Sequence, residues 1–161
     1  MYLWETIHLT PMKDTYNVRK AVATDCPQIL ELIKELALYE KASEEVTVSL
    51  EEMIDAGFGS SPVWEAFVVF YQEQIIGISL FYIRYSTWKG RRLYLEDIIV
   101  TESFRGKGVG KLLMDRTIAY AKEREYHGVC WQVLDWNTPA IHFYEKYNAR
   151  FDKGWWNVSV I

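Results

Sequence analysis

The segment Arg105-Gly106-Lys107-Gly108-Val109-Gly110 sets glycines in alternation among basic residues, between an apolar strand-like stretch, LYLEDIIV, and a helix-like one, GKLLMDRTIAYAKE. Glycine lets a backbone come close to a ligand, and a helix start presents amide N–H groups with no intrahelical acceptor. With the positive end of the helix dipole and the cations of Arg105, Lys107 and Lys111, these features predict a pyrophosphate site. A Walker loop needs Ser or Thr directly after its Gly-Lys, and here Gly108 follows Lys107. A dinucleotide fold places a G-x-G-x-x-G turn after its first strand. This loop reads G-x-G-x-G and follows several strands, so both familiar nucleotide motifs are excluded.

Glu96 and Asp97 interrupt the same apolar strand. An unpaired buried carboxylate is costly, which makes either residue informative in a central strand. Successive strand residues point to opposite faces, so the spacing predicts two carboxylates with separate tasks. The bland alternative is a solvated or Arg-paired doublet at a strand end. Tyr144, in Ile141-His142-Phe143-Tyr144, is on its spacing alone a core aromatic.

The elements that must position these groups follow from the pattern. A strand is predicted over 16–21. A helix follows over 26–39, capped by Thr24 with Pro27 in its first turn, its buried stripe being Ile29, Leu32, Ile33 and Leu36. A short helix over 49–56 has Ser49 as cap and Glu52 in capping-box position. Strands are predicted over 64–71 and 74–85, flanking a turn at Gln72-Glu73, and over 92–100. A helix over 108–124, a strand over 128–134, an Asn137-capped helix over 138–147 and one or two closing strands over 149–160 complete the order. Antiparallel strands followed by βαβα units predict an α/β domain: a mixed central sheet with helices on both faces.

At 161 residues, half of them hydrophobic and 16% aromatic, the chain is sized for one domain with an ample core. We take residues 1–15 as an N-terminal extension and 16–161 as that domain. The net charge of −4 speaks against a nucleic-acid partner, which needs a basic face. No run reaches the ~20 apolar residues of a membrane span. Cys26 and Cys130 lie far apart with no C-x-x-C pair, which predicts reduced core thiols and a cytoplasmic protein. His8, His127 and His142 lack ligand spacing, so no metal is expected.

Arg105, Gly108 and Gly110 match the R-x-x-G-x-G acetyl-CoA motif, and the chain from Tyr16 onward resembles the GNAT acetyltransferase superfamily. Within it, LIKELALYE, IDAGFG, LYLED, LDWN and FYEKYNA resemble the diamine (spermidine/spermine) acetyltransferase family, and YSTWKGR and VLDWN its thialysine Nε-acetyltransferase branch. The resemblance implies direct acetyl transfer from acetyl-CoA to a small-molecule primary amine, either thialysine- or lysine-like or a di- or polyamine, by a homodimer. Gly106 to Lys111, with Val109 among them, would hold the pyrophosphate. The backbone of Ile98, Ile99 and Val100 would pair with the pantetheine arm as an added strand does, with an amide there for the oxyanion. Asn137, Pro139, Ala140 and Tyr144 would contact the CoA.

A free alkylamine has a pKa near that of Lys, about 10.4, so the amine must lose a proton and the departing sulfur gains one. The resemblance makes Glu96 the base, acting through water, and Tyr144 the acid. Asp97, Tyr39, Glu40, Trp88 and Trp136 would border the amine channel, where carboxylates and aromatic faces suit alkylammonium groups. Polyamine-specific relatives carry Asp two residues before the tryptophan matching Trp88, where this chain has Ser86, which favours a shorter or zwitterionic amine. The chain stops at Ile161, after Trp155-Trp156-Asn157-Val158, where the family carries a longer tail. The competing readings are a protein Lys or N-terminal acetyltransferase with an open peptide groove, and a non-catalytic acetyl-CoA sensor. Retention of Glu96 and Tyr144 speaks against the sensor.

Overall fold

The structure is a computed structural model that describes residues 16–160; the extension over 1–15, with His8, lies outside the described residues. The chain divides into two compact units, one ending at Cys130 and one beginning at Trp131. The first contains β1 (Asn17–Lys20), α1 (Cys26–Tyr39), α2 (Leu50–Phe58), β2 (Glu65–Tyr71), β3 (Gln74–Ser86), β4 (Gly90–Val100), α3 (Val109–Glu123) and β5 (Val129–Cys130). The second contains α4 (Thr138–Glu145).

The sheet runs β1-β2-β3-β4-β5 in chain order. Strands β1 to β4 pair antiparallel and β5 joins β4 in parallel, so the mixed sheet is as expected. Both faces are covered. Ile29, Leu30 and Leu32 of α1 and Met53 of α2 pack with Ala66, Val68, Ile78 and Leu80 on one face. Val109, Leu113, Tyr120 and Ala121 of α3 pack with Phe67, Val69 and Phe81 on the other. Alternation along β2, with 66 and 68 on one side and 67 and 69 on the other, explains its unbroken apolar run: each parity has its own core.

Thr117 anchors α3 to the sheet. Its buried hydroxyl donates to Leu113 O at 2.8 Å and lies 2.9 Å from Ser79 Oγ. A hydroxyl has one proton, so Ser79 is the donor in that second bond and no buried hydrogen is wasted.

Several local expectations are corrected. Thr24 lies in a short 3-10 turn over 23–25, and Asp25 takes the N-cap position of α1. Asp25 is buried, accepts from Arg19 Nη1 at 2.7 Å and Nη2 at 2.9 Å, and accepts from Val22 N at 2.8 Å. The pair anchors β1 to the start of α1. The strand expected over 128–134 is formed only by Val129–Cys130. No strand forms over 149–160. There Asp152 accepts from Gly154 N at 3.0 Å and from Trp155 Nε1 at 2.9 Å, and such local side-chain bonds compete with strand pairing. Ser49 and Asn137 do cap their helices, accepting from Glu52 N at 3.1 Å and Ala140 N at 3.3 Å.

Candidate active site

The centre of the site is an irregularity in β4. Leu80 pairs with Asp97 and Phe81 with Leu95, so Glu96 is an extra residue with no partner opposite. This is a β-bulge, which shifts the alternation of the strand by one. Leu93 faces the α3 core, yet so do Ile98 and Val100, while Ile99 faces α1. The parity change falls on Glu96 and Asp97, and both carboxylates point to the α1 face. The expectation that they serve opposite faces is therefore wrong: they share one site.

Their surroundings are consistent with that placement. Asp97 is half-buried, and its carboxyl is pushed up to about 6 by burial first, then by the charges of Glu96 and Glu40. Glu40, just past the end of α1, is raised by burial as well. Three carboxylates thus converge where the bulge meets the C-terminal end of α1, a concentration of negative charge that a nearby cation would relieve. Tyr82 and Tyr94 are cross-strand partners with ring centroids 5.1 Å apart. Tyr82 is pushed up to about 12 by burial and then by the adjacent Glu96 carboxylate, to which its hydroxyl hydrogen-bonds.

Asp97 should make folding stability depend on pH. Its folded value exceeds the ordinary carboxylate value, so the folded chain holds this proton more tightly than the unfolded chain. The stabilising contribution is full below about pH 4 and is lost as pH rises through about 6. Asp97→Asn should therefore be the more stable protein at pH 7.5, by up to about 3 kcal/mol, with the difference shrinking toward pH 4.5. Urea denaturation of both proteins at the two pH values checks this.

Beyond the bulge, β4 leads to the glycine loop. The β4–β5 ladder holds only Leu93 with Val129 and Tyr94 with Cys130. From Leu95 to Val100 the outer edge of β4 has no strand partner among the described residues. Gly106 and Gly108 adopt left-handed backbone, with φ of +73° and +89°, and a Cβ on either would meet nothing within 4 Å. The first turn of α3 opens directly after Gly108, whose carbonyl accepts from Leu112 N at 3.0 Å. An open cradle of amides followed by an unpaired strand edge suits a ligand carrying a diphosphate and an extended, amide-bearing arm.

The loop's cations have intramolecular contacts. Arg105 Nε donates to Val100 O at 2.9 Å, Nη2 lies 3.6 Å from Glu35 Oε1, and the guanidinium sits 5.2 Å from the Tyr39 ring centroid. Lys107 lies over Phe104 and Lys111 pairs with Asp115. Glu35, which was not singled out from the sequence, also accepts from Thr101 Oγ1 at 2.8 Å and Glu102 N at 2.9 Å. It joins α1 to the start of the loop. A signal was available: Glu35 stands three residues after Leu32 and four before Tyr39, within the buried stripe of its helix.

Ser86 Oγ accepts from Trp88 N at 3.3 Å and Lys89 N at 3.2 Å, so this side chain shapes the hairpin turn. Trp88 beyond it is exposed. In the second unit, Asn137 is buried at the start of α4 with Pro139 in the first turn. Tyr144 is buried, its ring 5.0 Å from Trp131 and 5.5 Å from Phe143. Trp136 is half exposed. Among the described residues no group of His, Cys, Asp and Glu could hold a metal ion, and no helix is long and apolar enough to cross a membrane.

The acetyltransferase (GNAT) family model matches residues 27–149. A thialysine N-epsilon-acetyltransferase of Bos taurus is 37% identical over 141 residues, covering 83% of each chain. An L-ornithine N5-acetyltransferase of Arabidopsis thaliana is 28% identical over 185 residues, covering 86% of this chain and 81% of its own. Among solved structures, an aminoglycoside acetyltransferase from an uncultured soil metagenomic sample, in complex with sisomicin, superposes with a TM-score of 0.76 at 16% identity, covering 91% of this chain and 97% of its own. The chain belongs to the GNAT acetyltransferase family.

Proposed function

We propose that the protein transfers the acetyl group of acetyl-CoA to a primary amine of a small molecule. The observation that carries this is the bulge, which sets Glu96 and Asp97 on one face beside Glu40 in the strand that leads into the glycine loop. Acetyl-CoA, when bound, supplies an activated acetyl thioester. The loop amides of Gly106 to Lys111 and the outer edge at Ile98, Ile99 and Val100 are suited to hold its diphosphate and pantetheine arm, with Arg105 bracing the loop and Asn137, Pro139 and Ala140 as further contacts.

The chain's own residues would divide the proton work. Asp97 and Glu40 attract the ammonium form of the substrate, with Tyr39, Trp88 and Trp136 as aromatic walls. Glu96 then takes one proton through water, leaving a neutral nucleophile. Tyr144 Oη holds a proton for the departing sulfur, a transfer that a phenol can make to a thiolate at neutral pH. The likeness to acetyltransferases of thialysine and L-ornithine supports a substrate whose amine sits at the end of an aliphatic chain. We take residues 16–161 as the transferase domain and the protein as a cytoplasmic homodimer. The exposed Trp155 and Trp156 suit an interface.

The test is release of CoA thiol from acetyl-CoA with thialysine, lysine, spermidine, putrescine and a Lys peptide. Turnover on a free amine is expected. Tyr144→Phe should lower kcat by about 10²-fold or more while acetyl-CoA binding, followed by calorimetry, persists. Unchanged turnover in Tyr144→Phe would remove the acid role, and turnover on the peptide alone would favour a protein acetyltransferase.

A further inference from the structure

On its α1 face the β3–β4 hairpin carries two arginines that the acetyl-transfer reading leaves unused. Arg84 and Arg92 are cross-strand Cα partners. By alternation from Leu80 on β3 and from Leu93 on β4, both belong to the α1 face, together with Tyr82, Tyr94, Glu96 and Asp97. Like charges directly opposite each other across a ladder are destabilising. Neither arginine forms an ion pair among the described residues. Arg92 Nε is moreover buried and donates to no acceptor, and an unsatisfied buried donor on a cation carries its own penalty. Two cations held side by side, one with a buried idle donor, form a site with an unmet requirement for an anion.

The position of the pair defines that anion. Arg84 Cζ lies 5.5 Å from the Tyr94 ring centroid, so its guanidinium leans along the hairpin toward the bulge. Tyr94 precedes Glu96 by two residues, roughly 7 Å of extended strand. The face therefore presents carboxylates at one end, the adjoining, mutually tilted Tyr82 and Tyr94 rings in the middle and guanidinium groups at the other. Its polarity mirrors that of a molecule with an ammonium and a carboxylate separated by a short aliphatic chain.

We propose that Arg84 and Arg92 bind the carboxylate of a zwitterionic acetyl acceptor and so set the preference of this chain against amines that lack one. The guanidinium forks give carboxylate-matched geometry, and the tyrosine rings form an apolar floor for the connecting methylenes. The inference rests on the acetyl-transfer reading above and adds the residues that select among its acceptors. A di- or polyamine would instead bring a second cation against two arginines.

The experiment compares L-lysine with cadaverine, the same chain without the carboxylate, in the full-length wild type and in Arg84→Gln and Arg92→Gln. The expected wild-type kcat/KM favours lysine by at least ten-fold. That ratio should fall by about 10- to 100-fold in each variant, the scale of a lost charge-assisted hydrogen bond or two, chiefly through KM for lysine. Arg84→Lys should recover part of the ratio, which a purely structural role of the planar group would not predict. Equal or better use of cadaverine by the wild type, or a ratio unmoved in both variants, overturns the proposal while leaving acetyl transfer standing. Transfer to neither amine overturns the proposal, and acetyl transfer itself is then decided by the wider set of acceptors above.

Discussion

Glu96→Gln should lower kcat/KM for the amine by on the order of 10²- to 10³-fold at neutral pH, the usual contribution of a positioned general base. The reason is arithmetic as much as geometry. With an alkylamine pKa near 10.4, only about one molecule in 10³ is neutral at pH 7.4, so a group that removes the proton within the site recovers most of that factor. The variant must draw on amine already deprotonated in solution. Its kcat/KM should therefore keep rising with pH through 8 and 9, where the wild type has levelled off. The pH profile separates this from a structural defect, because a misfolded bulge would lower activity at every pH. A loss below three-fold, with an unchanged profile, would remove Glu96 from the proton path.

Gly77→Ala should destabilise the fold by about 1–3 kcal/mol, the cost of overpacking a filled core, and loosen the seat of the ligand loop. A Cβ at residue 77 would lie 3.0 Å from Ile99 O, 3.1 Å from Leu113 Cδ1 and 3.1 Å from Val109 Cγ1. Two of those atoms belong to the first turns of α3, the helix that opens directly from the glycine loop. The added methyl must lift the helix or strain the sheet. Leu113, fully buried, should cost about 2–5 kcal/mol when replaced by Ala. In the double variant the cavity receives part of the methyl, so the two losses should fall short of their sum by roughly 1 kcal/mol. Thermal or urea unfolding of the four proteins measures this cycle. Strict additivity would show that the methyl acts on Ile99 and Val109 and not on Leu113.

The glycine loop, the β2–β3–β4 meander and the helices were legible in the sequence because each carries a local signature. Period-two alternation, capping residues such as Ser49 and Asn137, and the short turn at Gln72-Glu73 act within a few residues. The bulge was not legible. LYLEDIIV contains no glycine or proline to announce it, and only the partner register reveals that Glu96 is the extra residue. That one shift hid the shared site of Glu96 and Asp97 and the alignment of Tyr82, Tyr94, Arg84 and Arg92 with them. The expected strand over 149–160 failed for the opposite reason. Its apolar alternation is present, but a strand is defined by a partner, and Trp156, Val158 and Val160 remain largely exposed.

The strand order of the sheet, which follows the chain from β1 to β5, has a consequence for how the molecule assembles. Strands β2, β3 and β4 are joined by turns of two and three residues, so their ladders close only small loops and lose little chain entropy. Joining β1 to β2 means closing over both α1 and α2, and β5 can pair with β4 only after α3 has crossed the sheet. Local contacts form before distant ones when each must offset its own closure cost. The three-strand meander is thus the natural nucleus, and it already contains the bulge. The carboxylate pair is set in its register from the start of folding, and the helices that build the loop and the α1 edge of the site assemble around it.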